Sequence, residues 1–345
     1  MAIDSLIPYN VLIERVSHIF QAYVVHDDAD YIASCLVQAD ARGVASHGIG
    51  RIPVYTRRLR EGLINRKPEL KVNSGASAIA HINGDNGMGY VVARKAMDEA
   101  IARAQSHGIG MVFASNSNHF GMSAVYLQQA LDAGLAALAF TNAPPLMPIW
   151  GGRTPFLGTS PFAFAAPGPV PILLDMATSV VAFGKIRRAA RMGESIPEHW
   201  ALDDEGNPTT DPLAAIKGVV LPMAGPKGSG LSLMMEVVAG VMSGAAFGGR
   251  VRNQNSDFDA PQDVGHAFLT FQPDLFLAPD DYTQRMEALV TRAKTSPLAQ
   301  GFDSIRMPGE HEALLAIKAR ACGLDIAQAD QDMLVHETQL AASFH

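Results

Sequence analysis

The chain has 345 residues, of which 48% are apolar and 18% are charged, a balance typical of a globular protein large enough for two domains. Its net charge of −7 comes without a basic run, which argues against nucleic acid or an anionic membrane as a partner. The apolar stretch 133–150 is interrupted by prolines, so it is not a membrane helix. The two cysteines, Cys35 and Cys322, exclude a disulfide framework and favour a reducing cytoplasm.

The first seventy residues predict an all-helical region. Apolar spacing predicts two helices within the first forty residues, with Asp27 and Asp28 able to cap the second and Gly43 ending it. A third helix is predicted from Pro53 to Leu59. No run typical of a strand occurs before about residue 78.

Later in the chain, helical patterns alternate with short apolar strands, which is typical of an α/β core. Helices are predicted at 87–107, 122–133, 231–242, 280–294 and 310–322, and strands at 111–114, 135–140, 161–165, 172–175 and 267–271. Helix 231–242 is apolar on nearly every face, so we expect it to be buried. Residues 193–218 are rich in Pro, Gly and Asp, so we expect an exposed loop or arm there.

A hydroxyl, an imidazole and a guanidinium occur within six residues, at Ser46, His47 and Arg51. Arginine can bind a carboxylate through two hydrogen bonds, and histidine can exchange a proton with an alcohol or ketone oxygen near neutral pH. Ser46 can hydrogen-bond one nitrogen of His47 or of a neighbour. The intervening glycines favour a loop, with a helix starting at Pro53. These groups suit the chemistry of a 2-hydroxy or 2-oxo acid; the alternative is a surface turn with a solvated arginine.

The sequence contains neither the G-x-G-x-x-G dinucleotide fingerprint nor a Walker-type phosphate loop, so a dinucleotide would have to bind without the ordinary Rossmann turn. Residues 225–230 form a glycine-rich loop that contains Lys227 and Gly228 and leads into the helix predicted from 231. Free amides at a helix N-terminus, together with a lysine, favour an anion such as phosphate. The alternative is a tight structural turn with Lys227 solvated.

Polar residues follow two of the predicted strands. Asp175 closes an apolar strand, where its carboxylate can accept hydrogen bonds from ribose hydroxyls or cap the next helix. A polar run that ends in His119 follows strand 111–114, a position typical of active sites in α/β proteins. A structural role for His119 is the alternative.

No metal site is expected. His311 and Glu312 lack the second histidine of an H-E-x-x-H motif, and the chain has no C-x-x-C pair.

Seven segments, in chain order, resemble one known family. They are residues 46–51 (SHGIGR), 116–121 (NSNHFG), 158–161 (GTSP), 174–179 (LDMATS), 200–212 (WALDDEGNPTTDP), 225–228 (GPKG) and 307–310 (MPGE). Each segment alone is weak evidence for any family. Together the seven segments resemble the malate/L-lactate dehydrogenase family, whose cofactor domain lacks a Rossmann fold.

The resemblance implies an α/β fold in which residues 71–295 form a mixed-sheet NAD(P)-binding domain. Residues 1–70 and 296–345 would form a smaller all-helical domain built from both chain termini. It also implies a cytoplasmic homodimer with NAD or NADP as cofactor, NAD being favoured, and a small carboxylate as substrate. The implied reaction moves a hydride between the nicotinamide and C2 of a 2-hydroxy or 2-oxo acid that is similar to malate, lactate or ureidoglycolate.

The resemblance further implies a role for individual residues. His47 would donate or accept the proton, with Ser46 supporting it. Arg51 would hold the substrate carboxylate, and Thr159 would contact the substrate. The residues that would line the cofactor are His119, Phe120, Gly121, Met122, Ser123, Asp175, Met176, Ala177, Lys227, Gly228, Gly309, Glu310 and His311.

Alternatives remain open at this level. Some family members assign the acid–base role to the histidine that matches His119, so His47 and His119 compete for it. Imine-reducing members have an aspartate where this chain has Lys185, which favours an alcohol or ketone substrate; reduction of a cyclic imino acid, such as piperideine- or pyrroline-2-carboxylate, is the alternative. A non-catalytic nucleotide sensor or a structural dimer would not need a proton-transfer group beside Arg51.

Overall fold

A computed structural model describes residues 6–344. The helices are α1 (Tyr9–Gln21), α2 (His26–Ala41), α3 (Ile52–Arg60), α4 (Gly89–His107), α5 (Ala124–Asp132), α6 (Phe183–Met192), α7 (Pro212–Lys217), α8 (Pro226–Met235), α9 (Pro279–Lys294), α10 (Glu310–Cys322) and α11 (Gln328–Ala342). The strands are β1 (Lys71–Ala76), β2 (Ile79–Asn83), β3 (Ile109–Ser117), β4 (Ala136–Thr141), β5 (Phe162–Ala166), β6 (Ile172–Met176), β7 (Ala201–Leu202), β8 (Val219–Val220) and β9 (Val264–Phe271). Most of the predicted elements are present, and their ends differ from the prediction by a few residues.

Seven strands form one mixed sheet in the order β1-β2-β3-β9-β4-β5-β6. Only β2 and β3 are parallel neighbours, and the other adjacent pairs in this sheet are antiparallel. Helix α4 packs against the central strands β3 and β9, while α5 packs against β4 and β5. The predicted α/β fold with a mixed, non-Rossmann sheet is thereby confirmed.

Helices from the two ends of the described chain pack together. Helix α1 contacts α2, α10 and α11, and α11 also contacts α3. Ile7 and Leu324 exchange backbone hydrogen bonds of 2.9 and 2.8 Å. The buried carboxylate of Glu337 on α11 accepts a 2.7 Å hydrogen bond from Thr56 Oγ1 and pairs with Arg60 at 3.3 Å. The expected helical domain also includes residues 1–5 and 345, which lie outside the described part of the chain.

The expectation that no strand occurs before residue 78 is wrong, because β1 begins at Lys71. This strand lies at the edge of the sheet, and nearly all of its residues are exposed. An edge strand that is exposed to solvent on both faces needs no alternating apolar side chains. The periodicity of the sequence therefore does not reveal β1.

The expectation of an exposed loop or arm at 193–218 holds for most of its residues, which are exposed, but the segment is not all loop. The segment contains a short helix, α7, and the strand β7, which pairs with β8. Together with α6 these elements bury a small apolar cluster that includes Ile186, Ile196 and Ala215. The elements are too short to show a hydrophobic period, although Asp211 does cap α7 by accepting a 2.9 Å hydrogen bond from the amide of Leu213.

The helix predicted at 231–242 starts earlier, at Pro226, and continues beyond α8 as one π-helical segment, Glu236–Val241. Its expected burial is wrong for one face. Met235 and Ala239 are buried, whereas Val237 is 44% exposed, and an apolar stripe runs along the same face. The other exposed apolar side chains of this stripe are Leu233, Met234, Val241 and Met242. A face this apolar in contact with water indicates an interaction surface.

Candidate active site

A cavity of about 590 Å³ lies where the ends of several strands meet the helical layer. It is lined by Ala182 and by parts of six segments, at 42–47, 119–124, 141–143, 159–161, 173–177 and 306–312. The predicted site residues that line it are Ser46, His47, His119, Phe120, Gly121, Met122, Ser123, Thr159, Asp175, Met176, Ala177, Gly309 and His311. Its size is that of a small-molecule or cofactor site.

Four of the predicted site residues do not line this cavity: Arg51, Glu310, Lys227 and Gly228. Lys227 is exposed on the first turn of α8, so the helix includes the residues that the sequence predicted to be a loop. A Cβ added at Gly228 would lie 2.2 Å from the carbonyl oxygen of Met223, which explains the glycine by close packing of the turn. Glu310 forms an ion pair with Lys294.

Two short 3₁₀ turns, at Ala45–His47 and Ile49–Arg51, carry the serine, histidine and arginine of the first motif. Ser46 Oγ lies 2.9 Å from His47 Nδ1, so the predicted serine–histidine hydrogen bond is confirmed. The Nε of Arg51 donates to the carbonyl oxygen of Ser46 at 2.6 Å, which ties the guanidinium to the same turn. Helix α3 follows at Ile52, one residue before the start predicted at Pro53.

The side chain of Asp40, on α2, contacts the backbone of this loop. Its Oδ2 accepts a 2.8 Å hydrogen bond from the amide of Ile49. A Cβ at Gly48 would lie 2.0 Å from Asp40 Oδ1, so only glycine allows the carboxylate to come so close. Burial raises the pKa of Asp40 to about 7. Sequence reasoning did not identify Asp40, because its contact with the loop depends on the packing of α2.

The rings of His47 and His119 stack with their centroids 5.5 Å apart and their planes 19° apart. Tyr55 Oη lies 2.7 Å from His119 Nδ1, and the amide of Gly121 donates to the same nitrogen at 3.3 Å. Since the amide can only donate, Nδ1 is the acceptor and the proton of a neutral His119 sits on Nε2. Tyr90, whose Oη lies 3.4 Å from that of Tyr55, completes this buried group.

Both histidines are neutral at pH 7. Burial, assisted by the charge of Arg51, lowers the pKa of His47 to about 4. Burial also lowers the pKa of His119 well below its ordinary value, and His47 and Arg51 add to this effect. A neutral imidazole is able to accept a proton, so the pair provides a base in its active form.

A third histidine, His266 on β9, is fully buried and supports the cavity wall, and sequence reasoning missed it. Its Nδ1 lies 2.8 Å from Thr141 Oγ1 and its Nε2 lies 2.9 Å from Ser117 Oγ. The ring of Phe120 stacks on it at 4.7 Å with an interplanar angle of 3°. This stacking holds Phe120, which lines the cavity, in one orientation. Nothing in the strand pattern distinguishes His266 from an apolar core position.

Asp175 is both a cavity residue and a helix cap. Its Oδ2 accepts a 2.8 Å hydrogen bond from the amide of Ala124, at the start of α5. The sequence left open whether this aspartate caps the next helix. In the structure it caps α5 through the amide of Ala124, which lies 51 positions earlier in the chain. Burial raises the pKa of Asp175, and the Ala124 amide opposes that rise.

Gly309 brings the N-terminus of α10 against β6. Its φ of +85° is a left-handed conformation, and a Cβ there would lie 2.6 Å from the carbonyl oxygen of Leu173. The amide of Leu173 donates to the carbonyl oxygen of Pro308 at 3.0 Å. This close approach places Gly309 and His311 on the cavity wall beside Asp175.

In residues 6–344, no cluster of three or more His, Cys, Asp or Glu side chains is arranged to hold a metal ion.

No helix of the described chain is both long and apolar enough to span a bilayer.

Comparison with known proteins agrees with this architecture. The sequence profile of the malate/L-lactate dehydrogenase family matches residues 7–335. The chain is 39% identical to L-sulfolactate dehydrogenase of Methanocaldococcus jannaschii over 84% of its own length and 83% of that protein. It is 34% identical to ureidoglycolate dehydrogenase (NAD(+)) of Escherichia coli strain K12, over 94% of this chain and 93% of the relative.

Solved structures show the same fold. That of sulfolactate dehydrogenase from Methanocaldococcus jannaschii superimposes with a TM-score of 0.91 at 34% identity, covering 98% of this chain and 97% of the other. That of Δ1-piperideine-2-carboxylate reductase from Pseudomonas syringae pvar. tomato gives 0.87 at 30% identity, covering 96% and 99%. The chain therefore belongs to the malate/L-lactate dehydrogenase family.

Proposed function

We propose that the chain is an NAD(P)-dependent dehydrogenase that acts at C2 of a small 2-hydroxy or 2-oxo acid. The observation that carries the proposal is the stacked pair of neutral histidines, His47 and His119, at a cavity whose wall also includes Asp175 and Gly309. The sulfolactate and ureidoglycolate relatives named above are dehydrogenases of small acids, which supports the same reaction class.

We infer that the cofactor is NAD or NADP, with NAD favoured because the similar ureidoglycolate dehydrogenase of Escherichia coli is named as an NAD(+) enzyme. The cavity has the size of a cofactor site, and its wall offers the Asp175 carboxylate and the turn at Gly309 as hydrogen-bonding groups for a dinucleotide. Gly121 and Gly309 themselves are explained by close packing, because a Cβ there would strike Tyr90 or Leu173. The residues that would hold the dinucleotide are His119, Phe120, Gly121, Met122, Ser123, Asp175, Met176, Ala177, Gly309 and His311. The chemistry that a bound NAD or NADP would supply is hydride transfer to or from C2 of the acid.

In this proposal His47 accepts the hydroxyl proton during oxidation. Its Nδ1 can donate to Ser46 Oγ, which leaves Nε2 free as the base. His119 is less suited to this task, because Tyr55 and the Gly121 amide both donate to its Nδ1 and its remaining nitrogen carries the proton. The Nε2–H of His119 is then a hydrogen-bond donor for the reacting oxygen.

We assign the substrate carboxylate to Arg51 and a further substrate contact to Thr159. Among the residues that the structure describes, Arg51 donates a hydrogen bond only through Nε, to the carbonyl oxygen of Ser46, so its two terminal nitrogens are available for a bidentate contact. Arg51 is close enough to His47 and His119 to lower the pKa of both histidines, which is consistent with a carboxylate bound beside the reacting carbon. Thr159 lines the cavity.

Reduction of a cyclic imino acid is the less supported alternative. The piperideine-2-carboxylate reductase named above has the same fold, but Lys185 departs from the aspartate of imine-reducing members. The test is the loss of NADH or NADPH absorbance with a panel of 2-oxo acids and cyclic imines. Turnover of a 2-oxo acid supports the proposal, turnover of imines alone supports the alternative, and turnover of neither contradicts both.

We further propose that the chain forms a homodimer in the cytoplasm, with a helical unit at 1–70 and 296–345 beside an NAD(P)-binding unit at 71–295. The exposed apolar stripe around Val237 supports the dimer, because monomeric proteins seldom leave such a face in water. The free Cys35 and Cys322 support a reducing compartment. Packing of α1 against α10 and α11 supports the helical unit.

A further inference from the structure

One buried cation of the cavity has no role in the chemistry proposed above. Arg42 follows the last residue of α2, is only 6% exposed, and lines the cavity. Its Nε is buried without a hydrogen-bond partner among the residues that the structure describes. Buried guanidinium groups are normally paired, so this one is an exception that requires an explanation.

Leaving Arg42 unpaired opposes folding. Burial lowers the pKa of its guanidinium, and the carboxylates of Glu312 and Asp175 only partly offset that effect. The group nevertheless stays charged near neutral pH, since arginine is not deprotonated in proteins. A desolvated cation facing a cavity is suited to an anion that enters from solution.

The wall around Arg42 has other features that favour an anion. The C-terminal end of α2 adjoins α10, because a Cβ at Gly43 would lie 2.9 Å from the Leu315 side chain. The N-terminus of α10 opens onto the cavity through Gly309 and His311. Arg306 lines the same wall and donates to His311 Nδ1 at 2.8 Å. A helix N-terminus beside guanidinium groups is a common arrangement for phosphate.

We propose that Arg42, together with the N-terminus of α10, binds a phosphate group of the dinucleotide. This inference rests on the proposed function. The dinucleotide offers two sources of that phosphate: the diphosphate bridge, which NAD and NADP share, and the 2′-phosphate, which only NADP carries. We assign Arg42 to the cofactor because its neighbours Asp175 and Glu312 lie on the part of the cavity wall that would hold the cofactor. Arg51, by contrast, lies on the loop that carries His47.

The test compares Arg42→Gln with the wild type in calorimetric titrations with NADH and NADPH. We expect the dissociation constant to rise at least about tenfold, as for the loss of a charge-assisted hydrogen bond. An equal rise for both cofactors indicates the diphosphate, and a rise for NADPH alone indicates the 2′-phosphate. Arg285→Gln is the matched control: Arg285 is exposed on α9 and absent from the cavity wall, so its loss should leave both constants unchanged.

Thermal unfolding without cofactor separates a ligand-binding role from a structural one. Because the unpaired charge opposes folding, Arg42→Gln should keep or raise the melting temperature and should reduce the increase caused by NADH. If Arg42→Gln destabilises the protein, Arg42→Lys decides: recovery of part of the lost affinity supports the proposal, and equal loss in both variants overturns it.

Two further outcomes are distinguishable. Wild-type dissociation constants in Arg42→Gln, or a change confined to the KM of the acid, would overturn this inference and leave the proposed function intact. Failure of the wild-type protein to bind either dinucleotide would overturn the proposed function as well.

Discussion

Tyr55 Oη lies 2.7 Å from Nδ1 of His119, although the two residues are 64 positions apart in the chain. Tyr55 projects from the first turn of α3, four residues after Arg51, so one short helical segment connects the arginine and the tyrosine. The tyrosine hydroxyl and the Gly121 amide together determine which nitrogen of His119 carries the proton.

Tyr55→Phe should therefore reduce turnover without removing cofactor binding. Loss of one hydrogen bond that orients the imidazole should cost about 1 kcal/mol, or roughly a fivefold decrease in kcat. Steady-state kinetics and calorimetric titration with NADH measure both quantities. Tyr90→Phe is the control, because its hydroxyl contacts Tyr55 and not His119 in the described structure. An unchanged kcat in Tyr55→Phe would contradict the positioning role.

Replacement of the two histidines should have different effects. His47→Ala should lower kcat by roughly 10²–10⁴-fold with nearly normal cofactor affinity, because it removes the base. His119→Ala should disturb cofactor binding at least as much as turnover. In the wild type, kcat/KM for oxidation should fall as the pH drops through about 4, since His47 must be unprotonated. Loss of turnover only in His119→Ala would reverse the assignment.

Arg51→Lys should raise the KM for the acid far more than the KM for the cofactor. Lysine keeps the charge but cannot form the two parallel hydrogen bonds, so about 1–3 kcal/mol of binding should be lost. Arg57→Lys, on the exposed face of α3, is a control that should change neither constant. Equal substrate KM values in wild type and Arg51→Lys would mean that another group binds the carboxylate.

Asp40 should make stability depend on pH. Its folded pKa of about 7 lies above the unfolded value, so the folded state binds more protons between about pH 4 and 7 and loses stability as the pH rises through that window. Asp40→Asn does not titrate. The free energy of unfolding of this variant, relative to wild type, should increase by roughly 2–4 kcal/mol from pH 4 to pH 7.5. Denaturant titrations at several pH values measure it, and a constant difference would refute the buried-charge account.

The apolar stripe on α8 and the π-helical segment that follows it should form the dimer interface. Val237→Glu places an unpaired charge there and should raise the dimer dissociation constant at least about tenfold. Val335→Glu is the matched control, because Val335 is 60% exposed on α11, away from the stripe. Light scattering coupled to size-exclusion chromatography over a dilution series gives the masses. Equal masses for Val237→Glu and wild type at every concentration would assign the interface elsewhere.

The sequence alone was sufficient for features that depend on near neighbours. Apolar periodicity located most helices and strands, and Gly108, with a φ of +80°, ends α4 where the pattern predicted. The contact between Ser46 and His47 was predictable because the two residues are adjacent. Motif spacing was likewise enough to indicate the family and the mixed-sheet fold.

Only the tertiary structure decided which of these local features meet. Asp175 caps α5 and not a later helix, Tyr55 reaches His119, and Lys227 stays outside the cavity. Each outcome depends on sheet order and helix packing, which join residues far apart in the chain and leave no periodic signal. The unpaired Nε of Arg42 belongs to the same class, because burial and the lack of a partner are properties of the packed molecule.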